Sequence, residues 1–389
     1  MTNRSKISFV ILNQFPKSAY LLFITLRRLR RKHRNHLPPN YRKPVINRQD
    51  SLKSPFDHKS KLLIVVPEDR YLDKSWIPGG GNLYFEILQS AREQLKIDEI
   101  NYFVFPKSNY QSQGFANLLE VILSQNYTHC LASIETDPDD HKSWNWDDFG
   151  RNLNMFWTGT FIGLSTDSVY LLHQLRFSAF NSQYPNSILL GIDVSLMNIY
   201  LTAEIFAGPV FLPISSKSIE VLSVQDAQTS VVRKFDVVFV GKIYPYREPV
   251  LEYLSGLGLN IGINPHLKQN NHDEVPEFRD YIRALRMGRL ALNLSRAGGV
   301  DLNQLKSRAL EAPLFGTPVL SDDISLTSKY FRLNEEFLGF NYHSETIRNV
   351  LKVLDDEVAY QNLTVKAQLR ATSISSSAFW DLIQKRCAE

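Results

Sequence analysis

Residues 290–323 read LALNLSRAGGVDLNQLKSRALEAPLFGTPVLSDD, and this stretch decides the fold. LALNLS has the apolar run of a buried parallel strand, and Ala297-Gly298-Gly299 after it permits close backbone approach. LKSRALEAPLFG has the spacing of a short helix that stops at Gly316, and Thr317-Pro318-Val319-Leu320-Ser321 opens the next strand. Strand, glycine turn, helix and strand form the repeating unit of a parallel α/β sheet, whose ligands bind beyond the carboxyl ends of the strands. Arg308, Glu311 and the Gly316-Thr317 turn are expected to converge at that edge, beside Asn293 and Ser295 at the end of LNLS.

The pattern repeats outward in both directions. Downstream, residues 344–355, 358–372 and 375–386 have helical spacing; upstream lie strands at 236–240 and 260–263 and helices at 248–257 and 278–287. A first cycle begins with KLLIVVP at 61–67, a loop holding Gly79-Gly80-Gly81, and a helix from Asn82 to about Lys96. Further strands are expected at 100–105, 129–134, 156–164, 187–192 and 209–213. The polar stretch 215–234 reads as the boundary between two domains. The organisation is a basic extension and linker (1–60), a first domain (61–215), a second (234–372) and a last helix (373–389).

The motif R-A-L-E-A-x-x-x-G-T-P-V-L at 308–320, the preceding L-N-L-S, and V-V-F-V-G-K at 237–242 followed by Arg247 resemble the carboxyl-terminal half of GT-B glycosyltransferases. The nearest flavour is the spore-maturation type, with its glycosyl transferases group 1 C-terminal domain. The resemblance runs from about residue 235 to 354. It implies two Rossmann-like doubly wound domains facing across a cleft, and a last helix that crosses back to the first. It further implies metal-independent, hexosyltransferase-like transfer of a sugar from a nucleotide-sugar donor of UDP or GDP type to a glycan or lipid-linked acceptor. In that family the glutamate of R-x-x-E-A holds the donor ribose and the following Gly-Thr lies near the donor phosphates, here Glu311, Gly316 and Thr317. Many retaining members carry a second glutamate eight positions earlier, where this chain has Asn303. The stereochemical outcome therefore stays open.

Composition bounds the alternatives. A chain of 389 residues suits two domains. Its two cysteines, Cys130 and Cys387, make neither a disulfide framework nor a zinc cluster and fit a reducing, cytoplasmic setting. Net charge is only +4, but Arg27, Arg28, Arg30, Arg31, Lys32 and Arg34 crowd one short run behind the apolar residues 19–26. That apolar piece is too short to span a bilayer, which takes about 20 residues. The 19–34 segment reads either as a peripheral anchor on an anionic membrane surface or as a solvated tail. Scattered cations without a reader motif exclude nucleic acid as a partner.

The loop Gly241-Lys242-Ile243-Tyr244-Pro245-Tyr246-Arg247 follows a strand. Its backbone amides and the cations Lys242 and Arg247 are placed to meet a diphosphate, and the rival role is a surface loop paired with Glu248 or Glu252. Arg296 and Lys306 are further cations beside the crevice. Gly79, Gly80 and Gly81 lack the third glycine of a dinucleotide fingerprint, since Tyr84 takes that place, which argues against a nicotinamide enzyme. By the resemblance they form an acceptor-side loop bordering the donor diphosphate.

Asp137 and His141, after the strand at 129–134, are the candidates to take the acceptor hydroxyl proton, with Glu68, Asp69, Asp167 and Asp193 as others. No cofactor and no metal are expected, although Asp137-Pro138-Asp139 carries the D-x-D spacing. Trp144, Trp146, Phe149, Phe156 and Trp157 serve either to stack on a glycan or to fill a core. The rival functions are a non-catalytic glycan- or nucleotide-binding scaffold on this fold and a sugar-nucleotide epimerase.

Overall fold

A computed structural model describes residues 55–389 except 107–110, 134–145, 167–176, 178, 193–205, 228–231, 266, 268–276, 297–302 and 342–343. The chain forms two compact units. The first holds the described parts of Met1–Pro67, Ile97–Gly208 and Gln384–Glu389, and the second holds Glu68–Lys96 and Pro209–Ile383.

Six strands make the sheet of the first unit: β1 (Lys61–Pro67), β2 (Glu99–Phe105), β3 (His129–Ser133), β4 (Thr160–Ser165), β5 (Ser187–Gly191) and β6 (Phe206–Ala207). All pair in parallel in the order β2-β1-β3-β4-β5-β6. The apolar runs of β1, β4 and β5 are buried almost throughout, as strands covered on both faces must be. Trp146, Phe149, Phe161 and Phe180 pack together in one aromatic core, and Trp157 stacks on Tyr184 at 5.6 Å. Trp146, Phe149 and Trp157 are thereby committed to the interior, which corrects the glycan-stacking alternative for these three.

The second sheet has β7 (Phe235–Phe239), β8 (Ile261–Ile263), β9 (Gly288–Asn293), β10 (Val319–Ser321) and β11 (Leu338–Gly339), again all parallel, in the order β11-β10-β9-β7-β8. The chain steps outward from β7 to β8 and then returns to the other side of β7 to lay down β9. The gap between the carboxyl ends of β7 and β9 is therefore a topological switch point, the usual ligand crevice of such sheets. The expected mixed architecture of two parallel, Rossmann-like sheets is what the chain adopts.

Several local expectations change. Residues 156–164 split into the end of a helix, Trp146–Phe156, and β4, because Gly159 packs so tightly on the Thr128 carbonyl that a Cβ would lie 2.3 Å from its oxygen. Residues 209–213 are not a strand; β6 stops at Ala207, and Pro209 and Pro213 have no N–H for a ladder. The polar stretch after Ser215 carries a helix, Ser216–Ala227. Its polarity is spent at the amino end, where Ser215 N, Ser215 Oγ and Ser218 Oγ donate to the buried Glu86 carboxylate at 2.8, 2.7 and 2.6 Å. The helix expected in LKSRALEAPLFG begins only at Arg308 and runs to Leu314; just before it, Gln304 N donates to Ser295 O at 2.8 Å and Asn303 bridges to Arg296.

Candidate donor site

The site is built at the switch point of the second sheet. Gly241 follows β7 with φ of 146°, a conformation that glycine adopts freely. Its peptide is clamped by Asn264, whose Oδ1 accepts from Gly241 N at 2.8 Å and whose Nδ2 donates to Gly241 O at 3.1 Å. The Gly241 amide is thus already engaged, and cations at this edge must come from side chains. A Cβ at Gly241 would sit 2.8 Å from an Arg308 Nη2, so the glycine also makes room for that guanidinium.

Two arginines meet there. Arg247, 6% exposed, donates from Nη1 to the Lys242 carbonyl at 2.5 Å, and its guanidinium lies 5.4 Å from the centre of the Phe239 ring. Arg308 heads its helix, donates to the carbonyls of Val240 and Leu292, and lies 5.0 Å from the same ring centre. Among the described residues neither has a carboxylate within ion-pair distance, and the Nε of each is buried without a hydrogen-bond partner. Burial lowers the Arg247 pKa from its ordinary value; Tyr246 opposes this and the Arg308 charge adds to it. A buried guanidinium beside a second, half-buried one over the same ring is unfavourable unless an anion joins them.

Lys242 is exposed and sits 5.8 Å from the Tyr244 ring centre, so it borders the pair without forming it. Tyr244 and Tyr246 stack at 5.8 Å with Arg247 against both rings. Tyr246 also donates to the Arg296 carbonyl at 2.9 Å, tying the loop after β7 to the loop after β9.

Glu311, one turn beyond Arg308, is half-buried. Burial raises its pKa, against the pull of a hydrogen bond from Tyr281 and of the Arg308 charge. The Tyr281 hydroxyl donates to Glu311 Oε2 at 2.6 Å. Tyr281 belongs to the helix Phe278–Arg286 and stacks on Phe278 at 5.8 Å. The glycine loop approaches from the other side, since a Cβ at Gly81 would lie 2.6 Å from Phe278 Cβ and Cγ. Gly79 N donates to Ser218 Oγ at 2.8 Å, and Gly80 N to the Ile77 carbonyl at 3.0 Å. With φ of 78° and no room for a methyl, Gly81→Ala is expected to lower stability by about 1–3 kcal/mol, measured by urea unfolding.

The remaining residues sort by edge. Asn293 donates from Nδ2 to Ser321 Oγ at 3.1 Å and keeps a buried Oδ1 without a partner among the described residues. Ser295 gives both its N–H and hydroxyl to Asp322 Oδ1, at 2.8 and 2.6 Å. Asn303 donates to Asp323 Oδ2 at 2.6 Å, so the position of the second family glutamate is engaged with the loop after β10.

Gly316 and Thr317 do not converge with these groups, which corrects the expectation stated for them. They precede β10, at the amino edge, where Arg233 bridges the Gly288 and Gly316 carbonyls at 2.6 Å each and the Thr317 hydroxyl is sealed. The helix that carries Glu311 runs antiparallel to the strands and takes Gly316 away from the carboxyl edge. Asp137, His141, Asp167 and Asp193 lie outside the described residues. Glu68 and Asp69 open the short helix directly after β1. Among the described residues no cluster of His, Cys, Asp and Glu has the makings of a metal site, and no helix is long and apolar enough to cross a membrane.

Residues 225–375 match the family described as glycosyl transferase-like. No curated protein matches the chain. Among solved structures, an α-glucosyltransferase in complex with UDP-glucose and DNA containing an abasic site aligns over 84% of this chain and 99% of its own, with 10% identity and a TM-score of 0.51. A structure of α-glucosyltransferase with UDP and a 13-mer DNA aligns over 85% and 100%, with 9% identity and a TM-score of 0.50. HepE of Anabaena in complex with UDP and glucose aligns over 84% and 98%, with 12% identity and a TM-score of 0.48. The fold is that of the GT-B glycosyltransferases, and the resemblance read from the 308–320 motif holds.

Proposed function

We propose that this chain transfers a sugar from a nucleotide-sugar donor to a glycan or lipid-linked acceptor, without a metal ion, and that the second unit holds the donor. The observation that carries this reading is the pair of buried Arg247 and half-buried Arg308 over Phe239, with no carboxylate at ion-pair distance among the described residues, one helical turn from half-buried Glu311. A diphosphate supplies the missing anion, and the ribose diol beside it is a fitting donor for a carboxylate with open acceptor positions. The relatives solved with UDP or UDP-glucose make uridine the first nucleotide to try.

In the step itself, the bond from the sugar's anomeric carbon to the diphosphate oxygen breaks. A bond to the acceptor oxygen forms, and the acceptor proton passes to a base. Negative charge grows on the departing diphosphate, where fixed guanidiniums are worth most. Arg247 and Arg308 take that role, with exposed Lys242 at the rim. Asp137 and His141 are our candidates for the base. The basic segment 19–34 is our candidate contact with an anionic membrane surface, which would suit a lipid-linked acceptor on a cytoplasmic face.

The test is release of UDP from radiolabelled UDP-glucose, with and without EDTA. Turnover is expected to persist in EDTA and to fall at least about a hundredfold in Arg308→Ala, the scale of losing one transition-state donor. Turnover that vanishes in EDTA and returns with manganese would overturn the arginine-only account.

A further inference from the structure

The Glu311 carboxylate has one hydrogen-bond partner among the described residues, the Tyr281 hydroxyl. A glutamate side chain has three rotatable bonds, so a carboxylate on a short helix turns freely unless something holds it. Tyr281 is itself held. Its ring stacks on Phe278, Phe278 fills the space that Gly81 leaves, and the exposed ion pair of Lys74 with neighbouring Glu277 at 2.9 Å ties the same loop to the start of this helix.

Resting on the donor-site reading above, we propose that Tyr281 is a positioning residue, whose phenol orients the Glu311 carboxylate toward the nucleotide ribose. One of about four acceptor positions on the carboxylate is taken by the phenol, which leaves the others for two vicinal hydroxyls. The phenol has a second effect. A hydrogen bond donated to the ionised form favours that form, so Tyr281 counters the burial that pushes the Glu311 pKa up. The other ionisable group acting on Glu311 is Arg308 on its own helix, which pulls the same way and also acts on Tyr281. Burial raises the Tyr281 pKa well above its ordinary value, so the phenol stays protonated and remains a donor at any working pH.

The sign of the pH dependence follows. Without the phenol, Glu311 protonates at higher pH, and a protonated carboxyl is a poorer acceptor for the ribose. Tyr281→Phe should therefore weaken binding most at low pH. The experiment is calorimetric titration with UDP from pH 5.5 to 8.5 for the full chain, Tyr281→Phe and Glu311→Ala, each expressed as a ratio to wild type. This ratio cancels titration of the nucleotide's own phosphate.

For Tyr281→Phe the expected loss is about tenfold at pH 5.5 and about threefold at pH 8.5, the scale of a charge-assisted hydrogen bond. For Glu311→Ala the loss is expected to be large and flat. If Glu311→Ala weakens UDP but Tyr281→Phe matches wild type, or loses affinity equally at every pH, the positioning role is overturned and the donor site stands. If UDP fails to bind wild type, or Glu311→Ala binds as wild type does, the donor reading falls and the positioning role with it. Should Tyr281→Phe not fold, Phe278→Leu keeps the phenol but removes its stack, and a smaller loss with the same trend is expected; a flat ratio there is equally contrary.

Discussion

Replacing Arg247 by methionine is expected to weaken nucleoside diphosphate binding by at least about a hundredfold while leaving the fold as stable as wild type, or more stable. The two halves of this result come from one geometry. In the free protein Arg247 is 6% exposed, its Nε has no partner among the described residues, and half-buried Arg308 lies over the same Phe239 ring, so Arg247 is kept out of water beside a like charge with no carboxylate at ion-pair distance among the described residues. Methionine keeps much of the apolar stem and removes one charge, and such exchanges of buried ions are commonly neutral or stabilising, by about 1–4 kcal/mol. The bound state loses a charge-assisted contact to phosphate, worth about 3–4 kcal/mol, which is the hundredfold or more. A cation that merely supported the fold would show the opposite pattern, lower melting temperature and unchanged affinity. Thermal unfolding and titration on the same preparation separate the two.

A second large effect is expected at Glu311, and it is a loss of discrimination rather than of binding alone. Wild type should prefer UDP over its 2′,3′-dideoxy analogue by about tenfold or more, because the analogue leaves a half-buried carboxylate without its hydroxyl partners. Glu311→Ala should bind the two nucleotides within about twofold of one another, since the group that tells them apart is gone. Preference for the ribose form persisting in Glu311→Ala would place the ribose elsewhere. Affinities for both ligands on both proteins form a closed cycle, so a general weakening of the variant cancels.

Much of the scaffold was legible because parallel strands buried on both faces announce themselves locally. KLLIVVP and LALN are continuous apolar runs, and the helix over 344–355 keeps its expected ends. Arg247 and Glu311 stood out because each sits in a motif a few residues long. Tyr281, Asn264 and the pairing of Arg308 with Arg247 did not, since each acts on a residue some 20 to 60 positions away and no local pattern encodes such a contact. The misplacement of Gly316 and Thr317 has a different cause. They adjoin Glu311 in sequence, but the seven-residue helix between Ser307 and Phe315 rises about 1.5 Å per residue and takes them roughly 10 Å toward the far edge of the sheet. In the stretch after Ser215, polar residues taken for a linker cap a helix on Glu86, a partner 129 residues away.

The most direct test of the donor site is calorimetric titration of the full chain with UDP, GDP, ADP and TDP in the presence of EDTA. Micromolar binding of one of them, UDP first among the candidates, weakened in both Arg247→Met and Glu311→Ala, is the result this account predicts. If none of the four binds the intact protein, the two arginines over Phe239 hold no nucleotide, and the assignment of the second unit as a sugar-nucleotide site is contradicted.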